Sequence, residues 1–301
     1  MKKAIRIIVI VVAAIVALAV ALAIAGKVLG ERKANRTVTV TVLPVAMVND
    51  AAAIARGKYL FESRACMECH AQDGHGGDVV KDDGGMYVHA PNLTSGKGSV
   101  TAQYTAEDWV RTIRHGVKPN GKPALIMPSE DYNRLTDEDL IALIAYLRSL
   151  PAVDGQGTEI RLPLPVKALY AFGVVKDSAE RIDHALPPPA PLPSAVNPAH
   201  GAYVANGCIG CHGDQLSGGK IPGTPPDWPP AANLTPGKGS VMVNYETPDK
   251  FRAMLRSGKR PDGSAVSKVM PFRSLAKLDD TDVDAIYVFL KTVPPRDAGN
   301  R

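Results

Sequence analysis

Aromatic residues are scarce in this chain of 301 residues, where Phe, Trp and Tyr together make up 5% of the total. Two independent cores of about 100 residues each need more large apolar side chains than this composition supplies. We therefore expect the cores to pack around some other large apolar body. Cysteine is scarcer still, with four residues in the whole chain.

An excess of positive charge is also lacking once the first residues are set aside. The formal net charge is +5, but residues 1–36 hold seven Lys or Arg against one Glu. The remainder carries 28 basic and 29 acidic residues. Because a nucleic-acid-binding domain needs a basic surface, we expect no nucleic-acid partner.

All four cysteines lie in two copies of the pattern C-x-x-C-H, at residues 66–70 and 208–212. The pattern sets two thiols one helical turn apart for thioether bonds to a porphyrin, beside a histidine that ligates iron. A zinc site would need further Cys or His at short spacing, and a redox dithiol needs no histidine in both copies. We predict two covalently bound haem c groups, held by Cys66, Cys69, Cys208 and Cys211, with His70 and His212 as axial ligands. A buried porphyrin would also be the missing apolar body.

A single long apolar run lies near the start, at residues 7–26, and contains no charged residue. As a helix it measures about 30 Å, the thickness of the hydrocarbon core of a bilayer. A cleaved signal peptide is the alternative, because Ala23, Ile24 and Ala25 form a small-residue cleavage pattern. Signal peptides have shorter apolar cores of about 7–15 residues, so we expect a retained transmembrane helix.

The rest of the chain is an internal repeat with an offset near 142 residues. The sequence Asn-Leu-Thr occurs at 92–94 and 233–235, and Gly-Lys-Gly-Ser-Val occurs at 96–100 and 237–241. Each copy ends in an apolar helical pattern. The repeat predicts two homologous domains.

Each copy also holds a Met-Pro pair in an otherwise divergent loop, at Met127 and Met270. Methionine is more often core filler than ligand. Equivalent placement in both copies nevertheless favours a role as iron ligands. A methionine thioether suits haem iron and raises its reduction potential. We predict Met127 and Met270 as the second axial ligands. His75, His89, His115, His184 and His200 are expected in surface or loop positions.

Helix caps predict an all-α fold of two tandem domains preceded by one transmembrane helix. Capping residues precede the main helices, at Asp50, Thr105, Thr136, Thr247 and Asp279. Strand-like alternation occurs only at residues 37–43. The expected division is a cytoplasmic N-terminus (1–6), a transmembrane helix (7–26), an extended linker (27–50), the first domain (51–153), a Pro-rich interdomain linker (154–197), the second domain (198–297) and a tail (298–301).

In both copies, the order of the attachment motif, Asn-Leu-Thr loop, helix, Met-Pro loop and final helix resembles class I cytochrome c. The loops are similar to haem domains of cytochrome subunits from bacterial membrane-bound dehydrogenases. That resemblance implies that a backbone carbonyl at Pro91, and at Ala232 in the second copy, accepts a hydrogen bond from the ligand histidine. Those subunits typically carry three haems and a membrane segment toward the C-terminus, whereas this chain has two motifs and an N-terminal apolar run.

The expected function is single-electron transfer by a membrane-anchored dihaem cytochrome, with no catalytic residues of its own. Since c-type haem is attached outside the cytoplasmic membrane, the resemblance places the domains in the bacterial periplasm, on a single-pass inner-membrane anchor. Partners are expected to be redox proteins in or on the membrane, and a small-molecule substrate is not expected. The alternatives are a haem subunit of a multi-subunit dehydrogenase, or a dihaem enzyme of the peroxidase or thiosulfate-oxidising type.

Overall fold

The computed structural model describes residues 2–43, 45–222, 224–225 and 227–301. Helices dominate them, so the expected all-α fold with two similar domains is confirmed apart from a small sheet. The helices are α1 (Lys2–Ala34), α2 (Ala51–Ser63), α3 (Cys66–His70), α4 (Ala106–His115), α5 (Asp137–Ser149), α6 (Leu164–Ala171), α7 (Ser178–Arg181), α8 (Pro198–Ala205), α9 (Ile209–His212), α10 (Pro248–Ser257), α11 (Phe272–Leu275) and α12 (Asp280–Thr292). The strands are β1 (Gly77–Lys81), β2 (Tyr87–Ala90) and β3 (Glu159–Arg161).

Helix α1 is longer than the apolar run that lies within it. Residues 27–34 were expected to begin an extended linker, but they continue the helix to Ala34. Helix-forming residues such as Leu29, Glu31 and Arg32 explain the extension, since no Pro interrupts them. The apolar window of α1 is not buried against the rest of the protein.

The sheet forms where the sequence pattern did not predict it. Residues 37–43, all of them described, form no strand, and Val38 makes a single backbone bond to Gly121, at 2.8 Å. The antiparallel sheet instead has the order β1-β2-β3, with Gly77 opposite Ala90 and Val88 opposite Ile160. Its strands are too short for alternation to stand out, and β3 comes from the segment expected to be a linker.

In both domains the first and last helices cross at very short range. A Cβ added at Gly57 of α2 would lie 1.9 Å from the carbonyl oxygen of Ala142 in α5. The repeat-equivalent Gly201 of α8 stands in the same relation to Ala285 of α12, at 2.0 Å. Only glycine permits backbones to approach so closely. The crossing therefore sets the geometry of both cores.

Caps fix the helix boundaries as the sequence predicts. Thr105 and Asp108 form a reciprocal capping box on α4. The side chains of Asp50, Thr136, Thr247 and Asp279 accept hydrogen bonds at the starts of α2, α5, α10 and α12. The left-handed Gly116 and Gly258, with φ of 64° and 67°, end α4 and α10.

The two domains pack against each other through related contacts. Tyr59 donates a hydrogen bond to Asp282 at 2.7 Å, and its repeat equivalent Tyr203 donates to Asp139. Arg64 adds an ion pair with the buried Asp282, at 3.1 Å. Each tyrosine thus reaches the capped start of the final helix in the other domain. The junction has an approximate two-fold character.

The segment at 154–197 is more structured than an interdomain spacer. It contributes β3 to the first domain, and its helix α6 packs on α1. Buried Asp177 accepts hydrogen bonds from Arg36, just after α1, and the hydroxyl of buried Ser178 accepts one from the amide of Ser129 in the first domain. Only the proline-rich stretch near 187–193 keeps the character of a spacer.

Candidate functional site

Each C-x-x-C-H motif folds as a short helical turn at the edge of a core. The first is helix α3, bounded by Ala65 and Ala71, both of which have positive φ, of 64° and 61°. The second spans a 3₁₀ turn, Asn206–Cys208, and then α9. In each motif the helical turn places the two cysteines one turn apart and the histidine directly after the second cysteine. This is the arrangement that haem attachment requires.

The four cysteines, all within the described residues, form no disulfide. Burial raises the pKa of the Cys66 thiol to about 12, and it raises the pKa of Cys208 equally, to about 12. A redox dithiol needs the opposite, a lowered pKa that supplies thiolate. The environment therefore disfavours thiol–disulfide exchange.

The histidine of each motif is oriented by a backbone carbonyl. Nδ1 of His70 lies 3.1 Å from the oxygen of Pro91, and Nδ1 of His212 lies 2.8 Å from that of Ala232. Since a carbonyl only accepts, Nδ1 carries the proton and Nε2 keeps a free lone pair. Burial lowers the pKa of both imidazoles, which favours this neutral form. The carbonyl positions expected from the family resemblance are confirmed.

The loops that carry these carbonyls are held by a buried asparagine. Asn92 donates to the carbonyl oxygen of Val153 at 2.8 Å, and Asn233 donates equivalently to Arg296, also at 2.8 Å. Both asparagines are almost fully buried. Sequence reasoning used them only as repeat markers. Their recurrence in both copies was the signal that could have identified them as positioning residues.

The Met-Pro loops have the same backbone shape in both domains. Pro128 and Pro271 have φ of −80° and −79°, with ψ of 63° and 67°. The methionine carbonyl accepts a bond from the residue two positions on, in both loops, at 2.9 and 2.8 Å. Met127 packs on the core that Cys66 also contacts, and Met270 packs on the core of Cys208. Each thioether is thus brought to the core that holds the matching motif.

These donors fit haem c better than a bare metal ion. Within the described part of the chain, no group of three or more His, Cys, Asp or Glu residues is placed to hold a metal ion. Each motif instead offers two thiols that form no disulfide and an imidazole with a free Nε2. Nδ1 of this imidazole already donates a hydrogen bond to a backbone carbonyl. That donor set matches thioether attachment with one axial nitrogen.

The prediction that the remaining histidines lie at the surface or in loops is wrong for two of them. His200 is buried, and its Nε2 lies 2.6 Å from Asp282 at the domain junction. His115 is buried in α4, and its Nδ1 lies 3.0 Å from that of His184. Domain packing and α7 cover these positions, and neither contact could be inferred from local sequence.

Comparison with known proteins agrees with this geometry. Residues 52–147 match the family model described as "Cytochrome C oxidase, cbb3-type, subunit III", and residues 198–294 match the model "Cytochrome c". The chain is 29% identical over 274 residues to the fructose dehydrogenase cytochrome subunit of Gluconobacter japonicus, covering 81% of this chain and 53% of that one.

Two further relatives are similar over most of this chain. The gluconate 2-dehydrogenase cytochrome c subunit of Pantoea cypripedii is 27% identical over 292 residues, covering 87% of this chain and 64% of that one. A protein named "Diheme cytochrome c-type" from Cereibacter sphaeroides is 26% identical over 275 residues, covering 80% and 86%. The chain thus spans between about half and two thirds of the length of the fructose dehydrogenase and gluconate 2-dehydrogenase subunits.

Proposed function

Because the chain carries two cytochrome c domains that bind two covalent haem c groups, we propose that it is the electron-transfer subunit of a membrane-bound dehydrogenase. The observation that carries this proposal is the equivalence of the two sites. Both copies hold a C-x-x-C-H turn, a carbonyl-oriented histidine and a Met-Pro loop on one core. Two such sites suit a carrier, which needs no open coordination position.

The proposed ligands follow the repeat. Cys66 and Cys69 would hold the first haem, and His70 and Met127 would ligate its iron. In the second domain the corresponding residues are Cys208, Cys211, His212 and Met270. When bound, haem c supplies a one-electron couple at its iron. The Pro91 and Ala232 carbonyls orient the imidazoles. The methionine side chains, as ligands, would raise the reduction potential of each site.

Contacts at the domain junction support a two-site relay. Glu68, inside the first motif, accepts hydrogen bonds from Ser274 through its amide at 3.0 Å and its hydroxyl at 2.8 Å. Asp131 accepts reciprocally from the amide of Gly210, inside the second motif, at 3.1 Å. Each motif therefore touches the segment after the Met-Pro pair of the other domain. Both attachment turns therefore lie at the junction, and the haems that they would hold would supply electron transfer between the two domains there.

We assign α1 as a retained membrane anchor with the domains in the periplasm. Gly26, next to the small-residue pattern, lies inside a continuous helix and is buried against α6. Retention is supported by the length of the apolar run at residues 7–26, because the apolar core of a signal peptide usually has about 7–15 residues. The periplasmic side follows from the family, since c-type haem is attached there.

A freestanding dihaem carrier is the second candidate. The Cereibacter protein supports it, because the similarity covers 86% of that protein's own length. The dehydrogenase reading has support from three kinds of dehydrogenase cytochrome subunit among the relatives, for fructose, gluconate and alcohol. The decisive experiment is purification of a tagged full-length chain from native membranes. We expect a dehydrogenase subunit to copurify in fixed proportion, whereas a lone chain would support the freestanding carrier.

The ligand assignment has its own test. The ferric spectrum should show the charge-transfer band of Met-ligated haem for both irons. Met127→Ala and Met270→Ala should each lower the potential of one haem in a redox titration and leave the other unchanged, and Met86→Ala serves as the matched control. A native spectrum with a high-spin or bis-His haem would refute the pair of His/Met sites. Rapid turnover of peroxide or thiosulfate would refute the carrier role.

A further inference from the structure

Helix α6 packs on α1 at the level where the apolar run ends. A Cβ added at Gly26 would lie 2.8 Å from the Cβ of Ala168, and one added at Gly30 would lie 2.7 Å from the carbonyl oxygen of Lys167. Both glycines admit α6 at close range. Residues 7–26 match the hydrocarbon thickness, so Gly26 marks its boundary. When α1 spans a bilayer, α6 therefore lies at the depth of the lipid head groups.

One side of α6 makes polar contacts with the end of α1 beyond Gly30. Lys167 donates to Glu31 at 3.0 Å. Tyr170 accepts from Arg36 at 2.8 Å, and the same guanidinium binds both oxygens of buried Asp177, at 2.7 and 2.9 Å. These bonds fix the rotation of α6 about its axis. They turn the side that carries Lys167 and Tyr170 away from the apolar run.

The other side of α6 is apolar and exposed. Leu169, Phe172 and Val174 have exposed fractions of 38%, 58% and 59%. At 100° per residue, Phe172 lies roughly 40° from Ala168, which faces Gly26, and roughly 160° from Tyr170. Phe172, the residue that caps α6, therefore lies on the side that faces the apolar run of α1. Leu169, roughly 60° from Phe172, borders that side, and Val174 follows just beyond the helix end. In water such a patch would be unfavourable.

Backbone bonds hold these side chains in place. The amide of Phe172 donates to Ala168 at 3.0 Å, and the amide of Val174 donates to Leu169 at 2.9 Å. Gly173 between them is left-handed, with φ of 77°, and ends the helix. The turn presents Phe172 and Val174 in a fixed geometry, close to the exposed Lys176.

We propose that α6 is an interfacial membrane helix, with Leu169, Phe172 and Val174 inserted at the boundary between head groups and acyl chains. Such helices combine an apolar face with basic residues that meet lipid phosphates, and Lys176 occupies that position here. This inference rests on the proposed anchoring by α1. It adds a second membrane contact, which fixes how the haem domains are oriented above the bilayer.

The test uses the full-length holoprotein in phosphatidylcholine vesicles that contain a photoactivatable diazirine lipid. Trypsin cleavage after Lys167 and Lys176 releases residues 168–176, which contain all three apolar side chains. Mass spectrometry should find lipid adducts on this fragment and on fragment 7–27. Fragment 239–250 is the reference, since it contains Val243 of the second domain, which is 70% exposed.

Two variants sharpen the result. In the double variant F172D/V174D, moving two carboxylates into the interface should lower labelling of 168–176 by about tenfold or more, with 7–27 unchanged. The matched control Val243→Asp should change neither fragment. Haem content and thermal unfolding check that both variants fold.

The outcomes separate the inference from its premise. Absence of label on 7–27 would refute the anchor itself. Label on 7–27 with no more label on 168–176 than on 239–250 would overturn the interfacial helix alone.

Discussion

The crossing of α2 and α5 at Gly57 provides the sharpest prediction for stability. In Gly57→Ala the new methyl would lie 1.9 Å from the Ala142 oxygen, 2.6 Å from its carbonyl carbon and 2.7 Å from the Tyr146 Cβ. Ordinary contact begins at 3.4 Å. The methyl thus lacks 1.5 Å of space against backbone atoms, which no side-chain rotation can supply. The two helices have to separate.

The expected cost follows from two opposing effects. Overpacking of a core costs typically 1–3 kcal/mol, and a backbone obstacle argues for the upper end, about 3 kcal/mol. Alanine recovers about 1 kcal/mol of helix propensity over glycine. The net destabilisation is about 2 kcal/mol, which lowers the midpoint of thermal unfolding by about 8–16 °C for a domain of this size. Circular dichroism of the detergent-solubilised holoprotein measures it.

Gly77→Ala is the matched control in the same domain. The Cβ at Gly77 would meet nothing within 4 Å, and its backbone is not left-handed. We expect a change within about 0.5 kcal/mol. Gly201→Ala, whose methyl would lie 2.0 Å from the Ala285 oxygen, should reproduce the loss in the second domain. If the midpoint of Gly57→Ala lies within about 4 °C of wild type, as that of the control should, the proposed role of the crossing is wrong.

Burial raises the pKa of Asp131 to about 8, and the negative charge of the neighbouring Glu130 is the second cause of this rise. The protonated form is thus favoured on folding, so stability should fall as pH rises from about 4 through 8, and Asp131→Asn should flatten the dependence in denaturant titrations at pH 5 and 8.5. Arg36→Ala leaves the buried Asp177 carboxylate without its cation and should cost about 3–5 kcal/mol in thermal unfolding. Arg161→Ala removes an exposed ion pair and a cation–π contact with Tyr87, and should cost about 1 kcal/mol or less. If stability depends on pH equally in Asp131→Asn and in wild type, the expectation for Asp131 is wrong. If the two Arg→Ala variants are destabilised equally, the expectation for Arg36 is wrong.

The haem chemistry could be read from short-range pattern. C-x-x-C-H is complete within five residues, and the repeat supplied a second copy of the motif, of the Asn-Leu-Thr loop and of the Met-Pro pair. Capping residues act within one helical turn, so Thr105 and Asp279 were also predictable. The carbonyls of Pro91 and Ala232 came from resemblance to a family, since a contact across 21 residues leaves no local pattern.

The burial of histidines shows where pattern stops being informative. His200 has its partner Asp282 at a distance of 82 residues in the chain, in a junction that exists only when both domains are folded. Asn92 likewise meets Val153 across 61 residues. Such pairs depend on where helices cross. The periodicity of hydrophobic residues predicts a helix but does not indicate which other helix it will cross.

The sequence by itself determined the cofactor, the number of domains, the helix caps and the apolar run, because each rests on spacings within a few helical turns or on direct repetition. Tertiary structure decided that the domains pack through reciprocal contacts, and that the supposed linker forms β3 and α6. It also decided that α6 lies at the end of α1. These features depend on long-range packing at positions such as Gly26 and Gly30, where the absence of a side chain matters only once the neighbouring helix is in place.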